Sequence, residues 1–222
     1  MTIPCNPNNL VMYRVLGYTC LETGDYAKGV ENMDKFFNMA AGDPQIITGR
    51  DYAIKGKLLA RLGQDSIGAG MIIQAMKLDT SYKAGYDDII EIYKKKYDKA
   101  AYWYGQKIKN TSAKPLDYFN WGQNLYLSKN YVRADSVFQL VENNFLEATL
   151  MRAKANNRLE APDNFQGLGK PYFEKYIQIN VQVPRDLFYE DQNHEVHNEH
   201  NLNYNYHSLI TFYESFYKIQ LV

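Results

Sequence analysis

The sequence repeats one pattern of large and small residues, and this repetition constrains the fold more than any other feature. The clearest copies have an aromatic residue, a small residue four positions later, a turn, and then a second small residue followed by a large apolar one. In the first copy these positions are held by Tyr13, Gly17, Gly24, Gly29 and Met33. Repetition at a period of about 20 to 50 residues is typical of chains built from stacked copies of one supersecondary unit.

Three further copies follow the first, and a fifth is less regular. The second contains Tyr52, Gly56, Gly63, Gly68 and Ile72. The third contains Tyr86, Tyr93, Tyr97, Ala100 and Tyr104. The fourth contains Tyr118, Gly122, Tyr131, Ala134 and Phe138. Successive starts at Leu10, Gly49, Lys83 and Pro115 are 39, 34 and 32 residues apart, and the fifth copy starts near Leu146 with Ala153 as its small residue.

The residue types in each copy favour a pair of helices. Apolar residues recur three and four positions apart, which is the spacing of one helix face. Gly24 and Gly63 suit the turn between two helices, because glycine readily adopts the left-handed conformation that ends a helix. Pro44 and Pro115 fall between copies, where a helix must not continue, and Pro115 also suits a first helical turn.

This pattern resembles the tetratricopeptide repeat family over residues 8–179, with units starting near 10, 49, 83, 115 and 146. The resemblance implies an all-α solenoid of stacked antiparallel helix pairs that forms a right-handed superhelix. The sequence departs from the family pattern at several places. Cys20 stands where a tyrosine is usual, Gly29 and Gly68 stand for alanine, Lys55 stands for leucine, and the turn of the third unit is two residues short.

The resemblance also implies a non-enzymatic interaction scaffold, in which the first helices line a concave groove that holds a peptide or partner segment. The candidate groove residues are Arg14, Tyr18, Arg50, Lys57, Arg61, Phe119, Gln123 and Tyr126. Three of them form a basic stripe in the second unit, and the fourth unit offers aromatic and apolar side chains. We therefore predict that an acidic or carboxylate-ended segment binds near the second unit and an apolar anchor near the fourth. The alternative is that these side chains are ordinary solvated surface.

Composition excludes several other classes of function. The chain has 25 basic and 25 acidic residues, so bulk charge gives no reason to expect nucleic-acid binding. Cys5 and Cys20 are too few for a disulfide framework or a four-thiolate zinc site, and Cys20 occupies a packing position. The sequence contains no glycine-rich phosphate loop and no Gly-x-Ser-x-Gly motif. We predict no catalytic residues, no metal site and no cofactor.

The last part of the chain, from Asn180, has a different composition. It holds all four histidines, with six acidic and two basic residues. His194, His197 and His200 are spaced so that three imidazoles do not converge easily on one helix face, which argues against a metal site. We predict an irregular linker at 180–204 and, at 205–222, either a capping helix or a flexible tail. The alternatives to the scaffold are a metal-binding or enzyme-associated module that acts through this tail, and a self-associating structural repeat protein.

No stretch approaches the 18 or so apolar residues that predict a membrane-spanning helix. The N-terminal sequence lacks the basic and apolar regions of a secretory leader. Localisation therefore stays open: the lack of a leader favours the cytoplasm, whereas a fragment of a longer chain would be compatible with the periplasm.

Overall fold

The structure is a computed structural model that describes residues 9–161, 164 and 166–182. Over these residues the chain is helical, which confirms the predicted all-α class. The helices are α1 Leu10–Thr23, α2 Tyr26–Met39, α3 Gly49–Arg61, α4 Asp65–Leu78, α5 Gly85–Ile92, α6 Tyr97–Asn110, α7 Pro115–Leu127, α8 Tyr131–Gln139, α9 Leu146–Asn157 and α10 Lys170–Gln182. None of these described helices is long and apolar enough to cross a membrane.

The chain divides into two compact units. The N-terminal unit ends at Asp117, and the C-terminal unit begins at Tyr118, within α7. In the N-terminal unit α1 packs on α2, α3 on α4 and α5 on α6, and each pair also contacts the next. In the C-terminal unit α9 packs on both α8 and α10. Short links between helices, as at residues 24–25 and 62–64, make each pair an antiparallel hairpin.

Local sequence signals explain where these helices start and how they turn. The side chain of Asn9 accepts a hydrogen bond from the Met12 amide, and that of Asp25 accepts one from the Lys28 amide. Gly24 and Gly63 have φ angles of 85° and 78°, the left-handed conformation predicted for these turns. The corresponding turn after α7 has Lys129 at a φ of 64°, a conformation that costs a non-glycine residue free energy.

Two glycines set the distance between α3 and α4. A Cβ atom added to Gly56 would lie 2.7 Å from the carbonyl oxygen of Gly68, and one added to Gly68 would lie 2.6 Å from the carbonyl oxygen of Gly56. Both distances are far below van der Waals contact, and the obstructing atoms are backbone. The two helices therefore touch through their main chains, as the small residues in the repeat pattern suggested.

The core of the N-terminal unit lies between consecutive helix pairs. Met33, Phe36 and Leu58 are fully buried where α2 meets α3. Ile72 and Ile89 form a second buried cluster where α4 meets α5. Burial of each such side chain contributes about 1.5 to 3 kcal/mol, so the contacts between consecutive pairs help to stabilise the stack.

The C-terminal unit is built around one aromatic side chain. Phe138 is fully buried and fills the space left by Gly122, where an added Cβ would lie 2.7 Å from its ring. The ring of Phe119 lies 5.6 Å from that of Phe138 and 5.1 Å from that of Phe145, centroid to centroid. Further along the chain, Phe173 of α10 packs against Ala153 of α9.

Two departures from the repeat pattern now have a structural explanation. Lys55, which stands where leucine is usual, places its ammonium group 2.7 Å from the Asp34 carboxylate and 4.5 Å from the centroid of the Phe37 ring. The prediction that the turn of the third unit is short was wrong: four residues (93–96) link α5 to α6, and the unit is short because α5 has only 8 residues.

The predictions for the tail lie outside the described residues. These are the capping helix or flexible tail at 205–222, the histidine cluster, and the linker beyond Gln182, where α10 ends.

The contact between Gly56 and Gly68 predicts that substitution by alanine has opposite effects on stability at two glycines of α4. Gly68→Ala should lower the free energy of unfolding by about 1 to 3 kcal/mol, because the new methyl group overlaps backbone atoms. Gly70→Ala is the matched control, since nothing lies within 4 Å of its added Cβ. Gly70→Ala should raise the free energy of unfolding by up to about 1 kcal/mol through helix propensity. Urea unfolding followed by circular dichroism measures both, and equal effects of the two changes would contradict the close contact.

The positive φ of Lys129 predicts a second pair of substitutions with opposite effects on stability. Lys129→Gly should stabilise the protein by about 1 kcal/mol, because glycine adopts a positive φ without steric strain. Gly63→Ala should destabilise it by a similar amount, although its added Cβ would meet no atom within 4 Å. Thermal unfolding monitored by calorimetry tests the pair, and a destabilised Lys129→Gly variant would argue against the turn.

Candidate functional site

The candidate groove residues of the N-terminal unit lie on α1 and α3. We call these residues, together with Asp88 of α5, the first-helix surface. Arg14 and Tyr18 come from α1, and Arg50, Lys57 and Arg61 come from α3. The structure brings Arg14 and Tyr18 together around one carboxylate, and it places Lys57 beside α5.

That carboxylate belongs to Asp51, which is 0% exposed. The Tyr18 hydroxyl donates to Asp51 Oδ1 at 2.7 Å, and Arg14 Nη2 donates to Oδ2 at 3.1 Å. The amide and hydroxyl groups of Thr48 also donate to Oδ2, at 2.8 and 2.7 Å. Arg14 donates in addition to the carbonyl oxygen of Ile46. A buried charge is costly unless it is paired and hydrogen-bonded, and Asp51 is both.

The sequence prediction missed Asp51, although a signal was present. Thr48 and Asp51 stand three residues apart at the start of α3 and form a capping box. The structure adds a long-range role, since the same carboxylate binds two side chains of α1. Burial and the hydrogen bond to Asp51 raise the pKa of Tyr18 well above its ordinary value, so this hydroxyl stays protonated and keeps donating.

The remaining cations of this surface point outward. Arg50 is exposed, and its guanidinium lies 5.0 Å from the centroid of the Tyr18 ring. Lys57 Nζ lies 2.7 Å from the Asp88 carboxylate of α5. Arg61 is exposed in the last turn of α3. Within the described residues, Lys57 thus has an acidic partner, whereas Arg50 and Arg61 have none.

The other candidate residues, Phe119, Gln123 and Tyr126, lie on α7 in the C-terminal unit, and all three are half-buried. The ring of Phe119 is part of the packing around Phe138. The ring of Tyr126 stands edge-on to Tyr131 at 5.4 Å between centroids. Its hydroxyl is hydrogen-bonded to Arg158, which raises the pKa of that guanidinium.

A second buried ionic network, also missed by the sequence prediction, holds the C-terminal unit together. Arg152 of α9 is only 7% exposed. Its guanidinium lies 2.8 Å from Asp135 and 2.9 Å from Glu142, and it donates to the Tyr172 hydroxyl of α10 at 3.1 Å. Burial alone would lower the pKa of Arg152, but the hydrogen bonds to Asp135 and the charges of both carboxylates raise it. This network links three helices and leaves Arg152 unable to reach a ligand.

The buried position of Asp51 predicts a large effect from loss of its charge. Asp51→Asn should lower the free energy of unfolding by about 3 kcal/mol, because Arg14 would lose its counter-charge in a largely buried site. Asp34→Asn is the control: its side chain is 51% exposed and also pairs with a lysine. It should cost at most about 1 kcal/mol. Chemical denaturation measures both variants, and similar costs would contradict the central role of Asp51.

Comparison with known proteins supports the fold. No family model matches the sequence, and no curated protein matches it either. Among solved structures, the C-terminal part of a TPR repeat-containing protein from Cytophaga hutchinsonii is 28% identical, with a TM-score of 0.59 over 78% of this chain and 68% of that one. A crystal structure of MamA is 14% identical, with a TM-score of 0.55 over 84% of this chain and 98% of that one.

A second structure, MamA AMB-1, is 15% identical, with a TM-score of 0.53 over 80% of this chain and 95% of that one. At such identities the MamA structures bear on the fold alone. Together with the helix pairs and the glycine contact described above, these similarities support a helical-repeat protein-interaction module. The chain therefore has the fold of tetratricopeptide repeat proteins.

Proposed function

We propose that this chain is a non-enzymatic interaction scaffold whose first-helix surface binds an acidic segment of a protein partner. One observation carries the proposal: Arg50, Lys57 and Arg61 recur at i, i+7 and i+11 along α3, and two of them have no acidic partner within the described residues. Residues at this spacing share one helix face. Exposed arginines of this kind can each take a carboxylate in a two-point hydrogen bond.

Each residue of this surface has a separate part in the proposed binding. Arg50 and Arg61 bind carboxylates directly, and a third carboxylate competes with Asp88 for Lys57. Arg14 and Tyr18 act through Asp51, because their contacts fix α1 against α3. The Tyr18 ring also supports the guanidinium of Arg50. A surface held in place before binding loses less entropy when the partner arrives.

For the C-terminal unit, we propose that the face of α7 that carries Phe119, Gln123 and Tyr126 binds an apolar anchor residue. These residues recur at i, i+4 and i+7, which places them on one face of α7. The rings of Phe119 and Tyr126 are half-buried against α8 and Phe145, so the part left exposed is held in position. The Gln123 amide between them can hydrogen-bond the backbone of the anchor segment.

Charge reversal at the two unpaired arginines tests the proposed surface. Arg50→Glu combined with Arg61→Glu should reduce recovery of the natural partner at least about tenfold, because attraction becomes repulsion. The measurement is affinity capture from the native source with quantitative mass spectrometry. Recovery by the unchanged protein should also fall as salt is raised, since exposed charges are screened.

The control for this experiment reverses two exposed lysines on second helices, Lys28→Glu and Lys109→Glu, which alters net charge by the same amount. Neither pair of changes breaks a described ion pair, so circular dichroism should show unchanged folding. Equal recovery by the two variants, or unchanged recovery by the arginine variant, would refute the proposed surface.

A further inference from the structure

A cleft of about 320 Å³ opens in the N-terminal unit between α4, the segment 79–84, the start of α5 and α6. None of the first-helix surface residues described above lines it. Aromatic side chains form much of its wall, namely Tyr82, Tyr86, Tyr102 and Trp103. Pockets that bind ligands usually combine such apolar walls with a few polar groups.

These aromatic walls are held by contacts within the protein. The Trp103 ring lies 6.3 Å from Tyr86 and 5.4 Å from Tyr102, centroid to centroid. The Tyr82 hydroxyl donates to the Asp88 carboxylate, which fixes the Tyr82 ring. Tyr102 is nonetheless 60% exposed, an unusual fraction for a large aromatic side chain packed beside a tryptophan. Neighbouring side chains thus hold the walls of the cleft, which is open to solvent beside Tyr102.

The charged side chains of the lining indicate which kind of ligand would fit the cleft. Lys77 and Lys83 are its charged residues, and no acidic side chain lines it. Both lysines are exposed, and neither has an acidic partner within the described residues. The nearby carboxylates have other contacts: Asp79 accepts from Ser81, and Asp88 accepts from Tyr82 and pairs with Lys57. Aromatic walls alone would also suit a cationic ligand, but the two lysines repel one.

We propose that this cleft is a second docking site, which takes an acidic segment of a partner protein through one aromatic side chain. The aromatic ring packs against Tyr86, Tyr102 and Trp103, and flanking carboxylates pair with Lys77 and Lys83. The volume is near the lower end of ligand pockets, about 300 Å³, which suits one inserted side chain. The open side beside Tyr102 lets the chain continue on either side of that residue. A buried aromatic anchor with charged flanks is a common arrangement at interaction hot spots.

The test uses an array of synthetic nine-residue peptides with a central Trp, Phe, Tyr, Leu or Ser flanked by glutamates. The chain has two tryptophans, so indole N–H resonances in a nitrogen-15 correlation spectrum report each one, and Trp121→Phe assigns them. Peptides with a central aromatic residue should shift the Trp103 signal, and Trp121 in the C-terminal unit serves as the internal control. Peptides with central serine, or with lysine flanks, should bind at least about tenfold more weakly.

Variants separate this site from the first-helix surface. Lys77→Glu with Lys83→Glu, or Tyr102→Ala, should weaken peptide binding at least about tenfold, and these exposed residues can change without unfolding the protein. Arg50→Glu with Arg61→Glu should leave the Trp103 shifts unchanged. The proposal fails if no acidic aromatic peptide shifts Trp103, if lysine-flanked peptides bind equally well, or if the arginine variant abolishes the shifts. A Tyr102-dependent dimer in sedimentation would overturn it in favour of a second copy of this chain.

Discussion

The direct backbone contact between Gly56 and Gly68 sets the distance between α3 and α4, the central helix pair of the N-terminal unit. Because neither residue has a side chain, α3 and α4 pack at main-chain distance. The outward face of α3 carries the basic stripe, and the end of α4 contributes one wall of the aromatic cleft. Both candidate binding sites therefore use residues of helices whose spacing depends on the absence of two methyl groups.

The buried carboxylate of Asp51 divides the candidate residues of α1 and α3 into two groups. Arg14 and Tyr18 direct their polar atoms inward, where they neutralise and hydrogen-bond Asp51. Arg50 and Arg61 direct theirs outward, without an acidic partner in the described part of the chain. The candidate basic residues thus include Arg14, which is paired inside the fold, and Arg50 and Arg61, which remain available to a partner. Their separation depends on which carboxylates the neighbouring helices bring into reach.

Much of the fold could be predicted from the sequence because the repeat pattern is local. The aromatic and small positions within each unit are spaced by about one helical turn, and Gly24 and Gly63, which have positive φ, mark the turns between helices. The ionic networks could not be predicted, because Arg14 meets Asp51, and Arg152 meets Asp135, only after separate helices have packed together. The aromatic cleft was missed for the same reason, since α4 and α6 belong to different repeats. The short α5 appeared in the sequence only as a change of spacing.

Asp88 has a place in both surfaces, and this has a thermodynamic consequence. Its carboxylate pairs with Lys57 on the first-helix side and accepts from Tyr82 on the cleft side. A ligand carboxylate that draws Lys57 away leaves the Asp88 charge with a single neutral donor, and so changes the energy of the cleft wall. Linkage requires the reverse effect to be equal in free energy. If both proposed sites bind their ligands, this shared acid therefore makes the occupancy of one site a term in the affinity of the other.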